Sequence, residues 1–262
     1  MLAAMRLPLY QIDAFASKVF QGNPAAVCPL ESWIPEATMQ AIAAENNLAE
    51  TAYFVGANGH YEIRWFTPVQ ELDLCGHATL ASAHVVFETL ESARRDVTFE
   101  SKGGSLRVER EADILALDFP SRPPRPVAAP GLAEALHLPP REVLGARDLL
   151  AVYETEDEVR SLDPDMAGLS RLDAMGVIAT APGRSSDFVS RFFAPRVGIP
   201  EDPATGSSHC TLIPYWAERL GVTKLHAFQL SRRGGEFHCE LRGERVRIAG
   251  RAVRYLEGTI EF

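Results

Sequence analysis

The sequence predicts an α+β protein built from two related halves, and three observations lead to this prediction. The same order of elements, namely a strand, a helix, two strands, a loop and a second helix, can be read twice along the 262 residues. A shift of 127 positions aligns Arg64 with Arg191 and Pro68 with Pro195. A proline-rich stretch at residues 119–131, FPSRPPRPVAAPG, separates the two readings.

The elements of the first half follow from apolar runs and from the breakers between them. In chain order they are a strand at AAVCPL, a helix after Pro35, strands at TAYFV and YEIRWF, a loop ending in CGHA, and a helix at TLASAHVVFETL. Pro35 suits a first helical position, and Met39, Ile42 and Ala43 share one face of the helix that follows. The turn-prone GANGH separates the two strands, which predicts a hairpin.

The second half repeats this order with different residues. Its elements are a strand at LLAVYE, a helical stretch at VRSLDPDMAGLSRL, strands at MGVIAT and DFVSRFF, a loop ending in EDPATG, and a helix at SSHCTLIPYWAERL. A period of about half the chain exceeds that of a solenoid, so it indicates two related halves. Chance remains the alternative, because this order of elements is common.

We place the domain boundary in the proline-rich stretch, because successive prolines stiffen a chain and cannot donate hydrogen bonds to a sheet. The N-terminal half is then residues 1–118, the linker is 119–131, and the C-terminal half is 132–262. The closing residues, 245–262, read as two strands that suit either half, and the last strand is free to return to the N-terminal one.

Composition excludes several classes of function. There are 35 acidic and 26 basic residues, a formal net charge of −9, and no run of Lys or Arg dense enough to bind nucleic acid. No apolar stretch predicts a signal peptide or a membrane span, so we expect a cytoplasmic protein. The four cysteines are far apart without a CxxC pair, and no HExxH is present, which favours reduced thiols and predicts no metal site.

The two loop-to-helix junctions are candidate binding sites for an anionic group. The first turn of a helix has unpaired N–H groups and a partial positive charge, and glycine lets a ligand approach the backbone closely. The candidate substrate-binding residues are Gly76, Ala78, Thr79, Thr205, Gly206, Ser207 and Ser208. The alternative is that the hydroxyl groups only cap the two helices. The two junctions lie at corresponding places in the repeat, which favours a binding site.

Glu50 is the candidate proton carrier. It follows a helix and precedes the apolar strand TAYFV, where an inward carboxylate would be partly desolvated and its pKa raised. A solvated carboxylate at a helix end is the alternative.

Two other interpretations are weaker. Ser207, His209 and Asp202 are too close in sequence to form a hydrolase triad, and there is no GxSxG elbow. Cys75, which the repeat aligns with Asp202, is expected to be a small buried residue rather than a base.

Four ordered stretches resemble one known family. QIDAFASKVFQGNPAAVC, NNLAETAYFV, RWFTPVQELDLCGHATLASA and EDPATGSS closely resemble the PhzF family, the isomerases of phenazine biosynthesis and their relatives, which have the diaminopimelate epimerase-like fold. The resemblance covers nearly the whole chain. It implies two pseudo-twofold-related domains, each a curled sheet around a central helix, with an active site between them, and a homodimer.

The resemblance also implies the roles of individual residues. The glutamate of its ET motif, Glu50 here, is the main acid and base, and His77, Asp202 and Ser207 line the substrate pocket. We therefore expect Glu50, His77 and Asp202 to be the catalytic residues, with no metal or organic cofactor.

Together these points predict an isomerase that moves a proton and a double bond next to the carboxylate of a small acid, cyclic or not. One carboxylate that serves both steps shifts a hydrogen but does not invert a centre. Related epimerases use two cysteines, and the repeat provides only Cys75, so an epimerase or racemase of a small amino or hydroxy acid is the second choice. A carboxylate-binding module without catalysis is the third.

Overall fold

The computed structural model describes residues 5–262. The chain divides into two compact units: the first contains the residues up to Asp118 together with Ala249–Phe262, and the second contains Phe119–Ile248. The last strand therefore belongs to the first unit.

Unit 1 contains one mixed sheet and two helices. Its elements are β1 (Arg6–Ala14), β2 (Asn23–Leu30), α1 (Glu36–Asn46), β3 (Glu50–Ala57), β4 (His60–Phe66), β5 (Glu71–Leu72), α2 (Gly76–Val85), β6 (Asp96–Ser101), β7 (Gly104–Glu111), β8 (Ile114–Pro120, which starts in this unit) and β17 (Ala252–Glu261). The strands pair in the order β17, β1, β2, β3, β4, β6, β7, β8, and β5 also pairs with β4. The pairs β2–β3 and β4–β6 are parallel and the others are antiparallel.

Helix α2 is the central element of unit 1. It contacts β17, β1, β2 and β3 at one end of the strand order and β7 near the other end, so the sheet curls around it. All its residues except His84 are buried. Small side chains at most of its positions let the strands approach it from several directions. The helix predicted at residues 79–90 starts three residues earlier, at Gly76. Its last residues, Val86–Leu90, form one π-helical turn that continues α2.

The strands of unit 2 also pair in a mixed, parallel and antiparallel pattern. Its elements are β9 (Arg125–Pro126), α3 (Leu132–Leu136), β10 (Glu142–Gly145), β11 (Leu149–Val152), α4 (Glu156–Ser161), α5 (Met166–Ser170), β12 (Val177–Pro182), β13 (Phe188–Phe193), α6 (His209–Leu220), β14 (Lys224–Gln229), β15 (Gly235–Arg242) and β16 (Arg245–Gly250, which starts in this unit). The strands β9 to β15 pair in sequence order. The pairs β11–β12 and β13–β14 are parallel.

Two predicted elements of unit 2 differ in the structure. The helical stretch predicted at residues 159–172 is two short helices, α4 and α5, because Pro164 cannot continue a helix from the preceding turn. The proline-rich stretch contains a two-residue strand, β9, which pairs with β10.

The repeat read from the sequence is present in the backbone of the two units. In unit 1 the successive pairs β2–β3, β3–β4, β4–β6 and β6–β7 are parallel, antiparallel, parallel and antiparallel. The pairs β11–β12, β12–β13, β13–β14 and β14–β15 of unit 2 follow the same pattern. Helix α2 lies between β4 and β6 in sequence, as α6 does between β13 and β14. The α+β fold predicted from the sequence is confirmed.

Equivalent side chains also repeat. The guanidinium of Arg64 donates two hydrogen bonds of 2.7 Å to the carboxylate of Glu71, and its carbon lies 5.2 Å from the ring centre of Phe66. The guanidinium of Arg191 donates hydrogen bonds of 2.7 and 3.0 Å to the carboxylate of Glu201, and its carbon lies 4.9 Å from the ring centre of Phe193. Phe66, Phe193 and Trp65 are buried, as expected of core residues.

The longest helix in the part of the chain that the structure describes is α6, with 12 residues. No helix among residues 5–262 has the length and apolar character required to cross a membrane.

Candidate active site

Three chemically active side chains of unit 1 are buried together. Glu50 is the first residue of β3, Cys75 is the N-cap of α2, and His77 lies in the first turn of α2. Strand β3 pairs with β2 in parallel, and α2 contacts both strands, so the start of β3 lies beside the start of the helix. The carboxylate predicted to point inward does so, since Glu50 is only 4% exposed.

The imidazole of His77 bridges the other two groups. Its Nε2 lies 2.9 Å from Oε2 of Glu50, and its Nδ1 lies 3.6 Å from Sγ of Cys75. The two atoms of the His77–Glu50 contact are buried and make no well-aligned hydrogen bond within the described residues. The contact is therefore mainly electrostatic, and both atoms retain the capacity to bind a further polar group.

The protonation states follow from these contacts. Burial by itself lowers the pKa of His77, whereas the adjacent Cys75 and Glu50 raise it, and the result lies well above the ordinary histidine value. Burial and the nearby Glu50 raise the pKa of the Cys75 thiol. Cys75 and Glu50 together therefore favour the protonated form of the His77 imidazole.

Asn23 holds the other side of the imidazole. It is fully buried at the start of β2, and its Nδ2 lies 3.3 Å from Nδ1 of His77. A 180° rotation of an amide exchanges a donor for an acceptor at the same place, so Asn23 serves either protonation state of His77. Asn23 was not among the predicted site residues, although a polar residue just before the apolar run AAVCPL was a signal that could have identified it.

The N-terminus of α2 provides backbone donors near these groups. Cys75 makes no side-chain cap, and the first-turn amides of Gly76, His77 and Ala78 have no acceptor within the helix. The hydroxyl of Thr79 donates to the carbonyl of Cys75 at 2.5 Å, so in this conformation it stabilises the helix start and is not directed at a ligand.

The predicted residues of unit 2 form a separate buried network. Asp202 is 7% exposed and accepts a hydrogen bond from the hydroxyl of Thr205. Gln229, which the sequence analysis missed, accepts from the Thr205 amide at 2.8 Å and donates to the Asp202 carbonyl at 2.6 Å. The amide of Thr205 therefore already donates to Gln229. Of the predicted loop residues, Gly206 and Ser207 then best suit the binding of an anionic group.

The start of α6 differs from the prediction. The helix begins at His209, two residues later than expected, and Ser208 donates its hydroxyl to the carbonyl of Thr205 at 2.8 Å. Ser207 is half-buried. His209 is fully buried against Phe237, with the ring centres 3.9 Å apart, and burial lowers the pKa of His209 to about 4. Its Nδ1 donates to the Thr205 carbonyl at 2.9 Å, which agrees with the rejection of a hydrolase triad.

Two groups of side chains among the described residues have metal-ligating atoms within 4.8 Å of one another. One is Glu50, Cys75 and His77 in unit 1, and the other is His226, Glu236 and His238 in unit 2. No metal site was predicted from the sequence, and the members of the second group do not form a short motif. The absence of a cofactor stays a prediction.

Comparisons with known proteins identify the family. Residues 12–258 match the family model described as phenazine biosynthesis-like protein, PhzC-PhzF. A Pseudomonas aeruginosa protein named as an uncharacterised isomerase is 52% identical over 98% of this chain and 100% of its own length. A Halalkalibacterium halodurans protein, also named as an uncharacterised isomerase, is 42% identical over 98% of this chain and 99% of its own.

Solved structures agree. A PhzF family protein from Enterococcus faecalis superposes with a TM-score of 0.95 at 47% identity, over 98% of this chain and 99% of that one. A hydroxyproline epimerase from Agrobacterium vitis has the same fold at 11% identity, with a TM-score of 0.65 over 100% of this chain and 93% of that one. The predicted family and epimerase-like fold are therefore confirmed, and this chain belongs to the PhzF family.

Proposed function

We propose that this protein is an isomerase that needs no cofactor and moves a proton, together with a double bond, next to the carboxylate of a small acid. The observation that carries the proposal is the buried contact between Glu50 and His77 at the start of α2. Relatives named as isomerases, at 52% and 42% identity over nearly the whole chain, support the reaction class.

The reaction uses Glu50 as base and then as acid. Its carboxylate takes a proton from a carbon near the substrate carboxylate, so that a C–H bond breaks, an O–H bond forms on Glu50, and the electron pair delocalises toward the substrate's acidic group. Glu50 then returns the proton to another carbon of the same conjugated system. The protonated His77 and the first-turn amides of α2 stabilise the negative charge that develops between the two steps.

The register of the repeat supports a single proton carrier. Tyr53 pairs with Arg64 in unit 1, and Ala179 pairs with Arg191 in unit 2, so the position equivalent to Glu50 is Gly176. A Cβ atom at Gly176 would lie 2.4 Å from the ring of Phe192, so the conformation has no room for a second carboxylate there. One base that serves both steps shifts a double bond and does not invert a centre.

An epimerase or racemase is the second candidate, and the position of Cys75 favours it. Its thiol lies 3.6 Å from the imidazole that contacts Glu50, so a thiol and a carboxylate are available on two sides of His77. The stereochemistry of the product separates the two: an inverted centre requires the epimerase, and a moved double bond requires the isomerase.

The catalytic role of Asp202, the role of Ser207 in substrate binding, the small carboxylate substrate itself and the homodimer stay part of the proposal. The buried position of Asp202 suits a catalytic carboxylate, and the half-buried position of Ser207 suits a binding residue. Replacement of Asp202 by Asn should lower kcat more than it raises KM, and the opposite result would make Asp202 a binding residue only. Sedimentation equilibrium of the purified chain tests the dimer.

The proposal is tested with the intact protein in deuterated water. A panel of cyclic and open unsaturated carboxylates is incubated with it, and deuterium at carbon is measured by NMR and mass spectrometry. We expect incorporation into at least one member, together with a shifted double bond. Binding across the panel without any deuterium at carbon would reject the isomerase and favour a carboxylate-binding module.

A further inference from the structure

We propose that His226, Glu236 and His238 form a binding site for a divalent transition-metal ion such as Zn²⁺ on the β14–β15 hairpin of unit 2. The proposal does not depend on the function proposed above, because none of the three residues belongs to the groups around Glu50 or Asp202.

The strand register brings the three side chains together. Strands β14 and β15 are antiparallel, and His226 lies directly opposite His238. Glu236 precedes His238 by two residues on the same strand, so the two side chains are on the same face of the sheet. The alternate residues Leu225, Ala227, Phe237 and Cys239 are buried on the opposite face, which leaves the three candidate ligands on the half-exposed face.

The distances between the ligand atoms suit chelation. Nε2 of His226 lies 2.9 Å from Oε1 of Glu236, Nε2 of His238 lies 4.0 Å from the same oxygen, and all three ligand atoms are within 4.8 Å of one another. Metal–ligand bonds of about 2.0–2.2 Å in a tetrahedral site separate ligand atoms by about 3.4 Å. Side-chain rotations that move the atoms by about 1 Å therefore complete the geometry.

The donor set indicates the class of metal. Two imidazole nitrogens and one carboxylate oxygen, without a thiolate, are the ligands of Zn²⁺ and of neighbouring first-row ions, whereas Mg²⁺ and Ca²⁺ prefer oxygen alone. The side chains are between 31% and 36% exposed, so water has access to the remaining coordination positions.

Neighbouring side chains pack against the site, and the carboxylate of Asp187 adds a negative charge beside it. The two imidazole rings stack with their centres 5.1 Å apart and an interplanar angle of 18°, and the Nε2 atoms of both rings lie near Oε1 of Glu236. The ring of Phe228 packs edge-on against His226 at 4.8 Å. The carboxylate of Asp187 accepts a hydrogen bond of 2.6 Å from the His226 amide, which fixes the strand beside the site.

The test measures Zn²⁺ binding to the intact chain after dialysis against a chelator. Isothermal titration with zinc chloride should give a site that His226→Ala and His238→Ala each weaken by at least about 10-fold. Glu236→Gln, which keeps the size of the side chain and so the fold, should weaken it similarly and should abolish the rise in melting temperature that zinc produces in the wild type. His60→Ala, at an exposed histidine of β4, is the matched control and should leave binding unchanged.

A cobalt titration separates this site from the group that contains Cys75. Co²⁺ on nitrogen and oxygen ligands gives weak visible bands, whereas a thiolate ligand adds an intense charge-transfer band in the near ultraviolet. We expect the visible bands to persist in Cys75→Ala and to be lost in the double variant His226→Ala/His238→Ala. Zinc binding of the same affinity in that double variant, or no binding in the wild type, would overturn the proposal and leave the three residues as an ion-pair group.

Discussion

Glu50 and His77 are far apart in sequence, and their contact depends on where β3 and α2 begin. The carboxylate is the first residue of its strand and the imidazole is in the first turn of its helix, so small changes in either boundary would separate them. Because both side chains are nearly fully buried, each depends on the other for charge compensation.

The first prediction concerns the charge state of His77. In Glu50→Gln the imidazole stays buried and loses one of the two neighbours that raise its pKa, so we expect the pKa of His77 to fall. NMR titration of the His77 ring measures this. Glu45→Gln, at an exposed glutamate near the end of α1, is the control and should leave the titration as in the wild type. The same high pKa in both variants would show that Glu50 is not the cause.

The second prediction concerns stability and pH. A histidine whose pKa is raised by folding stabilises the native state fully below its unfolded pKa of about 6.5, and this contribution is lost as pH rises toward the folded value. The free energy of unfolding should therefore fall with pH above about 6.5, by up to about 1.4 kcal/mol per pH unit, more steeply in the wild type than in His77→Asn. Urea unfolding at several pH values measures this. Parallel pH profiles for the two proteins would contradict it.

At the same scale, the sequence predicted the candidate residues better than their partners. Glu50, His77 and Asp202 were identified by family motifs, and the structure buries all three. Asn23 and Gln229 were missed because each is a single polar residue at the end of an apolar strand, where a sequence pattern does not distinguish a turn residue from a buried hydrogen-bonding partner. Burial of such a residue depends on the neighbouring strands, which only the tertiary structure specifies.

At the scale of elements, Arg64 of β4 and Arg191 of β13 each connect a strand to the segment between that strand and the next helix. The paired hydrogen bonds with Glu71 raise the pKa of Arg64, and the same hydrogen bonds lower the pKa of Glu71 to about 2. Arg191 and Glu201 repeat the arrangement in unit 2. The paired hydrogen bonds hold the segment in place because the two side chains can form both bonds in only one geometry.

The third prediction concerns this contact. Arg64→Lys cannot form the paired hydrogen bonds, so we expect the free energy of unfolding to fall by about 1–2 kcal/mol near neutral pH. Because the pKa of Glu71 is lowered by folding, its contribution is present above about pH 4.3 and is lost as pH falls toward 2, so the difference should shrink in acid. Urea unfolding measures both effects. Arg107→Lys, in an exposed pair with Asp96, is the control and should change stability by less than about 0.5 kcal/mol; an equal loss there would contradict the account.

The helices and strands were predictable where the apolar pattern was regular. The buried face of α1 and the hairpin of β3 and β4 follow the sequence closely. Pro164 indicated the break between α4 and α5, but the apolar residues around it led to the prediction of one helical stretch. The π-helical turn after α2, Val86–Leu90, has no signal in the sequence.

At the scale of the whole molecule, the internal repeat is the feature that the sequence predicted best. The shift of 127 residues came from matching residues in β4 and β13, and the strand pairing repeats around them. The differences between the units were less predictable. Unit 1 has Glu50 where unit 2 has Gly176, and that asymmetry depends on an exact strand register that single-sequence patterns do not provide.

The fourth prediction tests this asymmetry. A methyl group at position 176 would collide with the buried ring of Phe192, so Gly176→Ala should lower the free energy of unfolding by about 1–3 kcal/mol. Gly258→Ala, where the nearest atom is 3.8 Å away, is the matched control and should be nearly neutral. Thermal unfolding followed by circular dichroism measures both variants. Equal stability of the two would show that the space at Gly176 is not restricted.

The most direct test of the account is the rate at which Glu50→Gln transfers solvent deuterium to the carbon of a substrate found in the panel, compared with Glu45→Gln. A positioned acid or base contributes about 10²- to 10⁴-fold, so we expect the Glu50 variant to be slower by at least about 100-fold, while the Glu45 variant matches the wild type. Incorporation by Glu50→Gln at the wild-type rate would contradict the central claim that this buried carboxylate carries the proton.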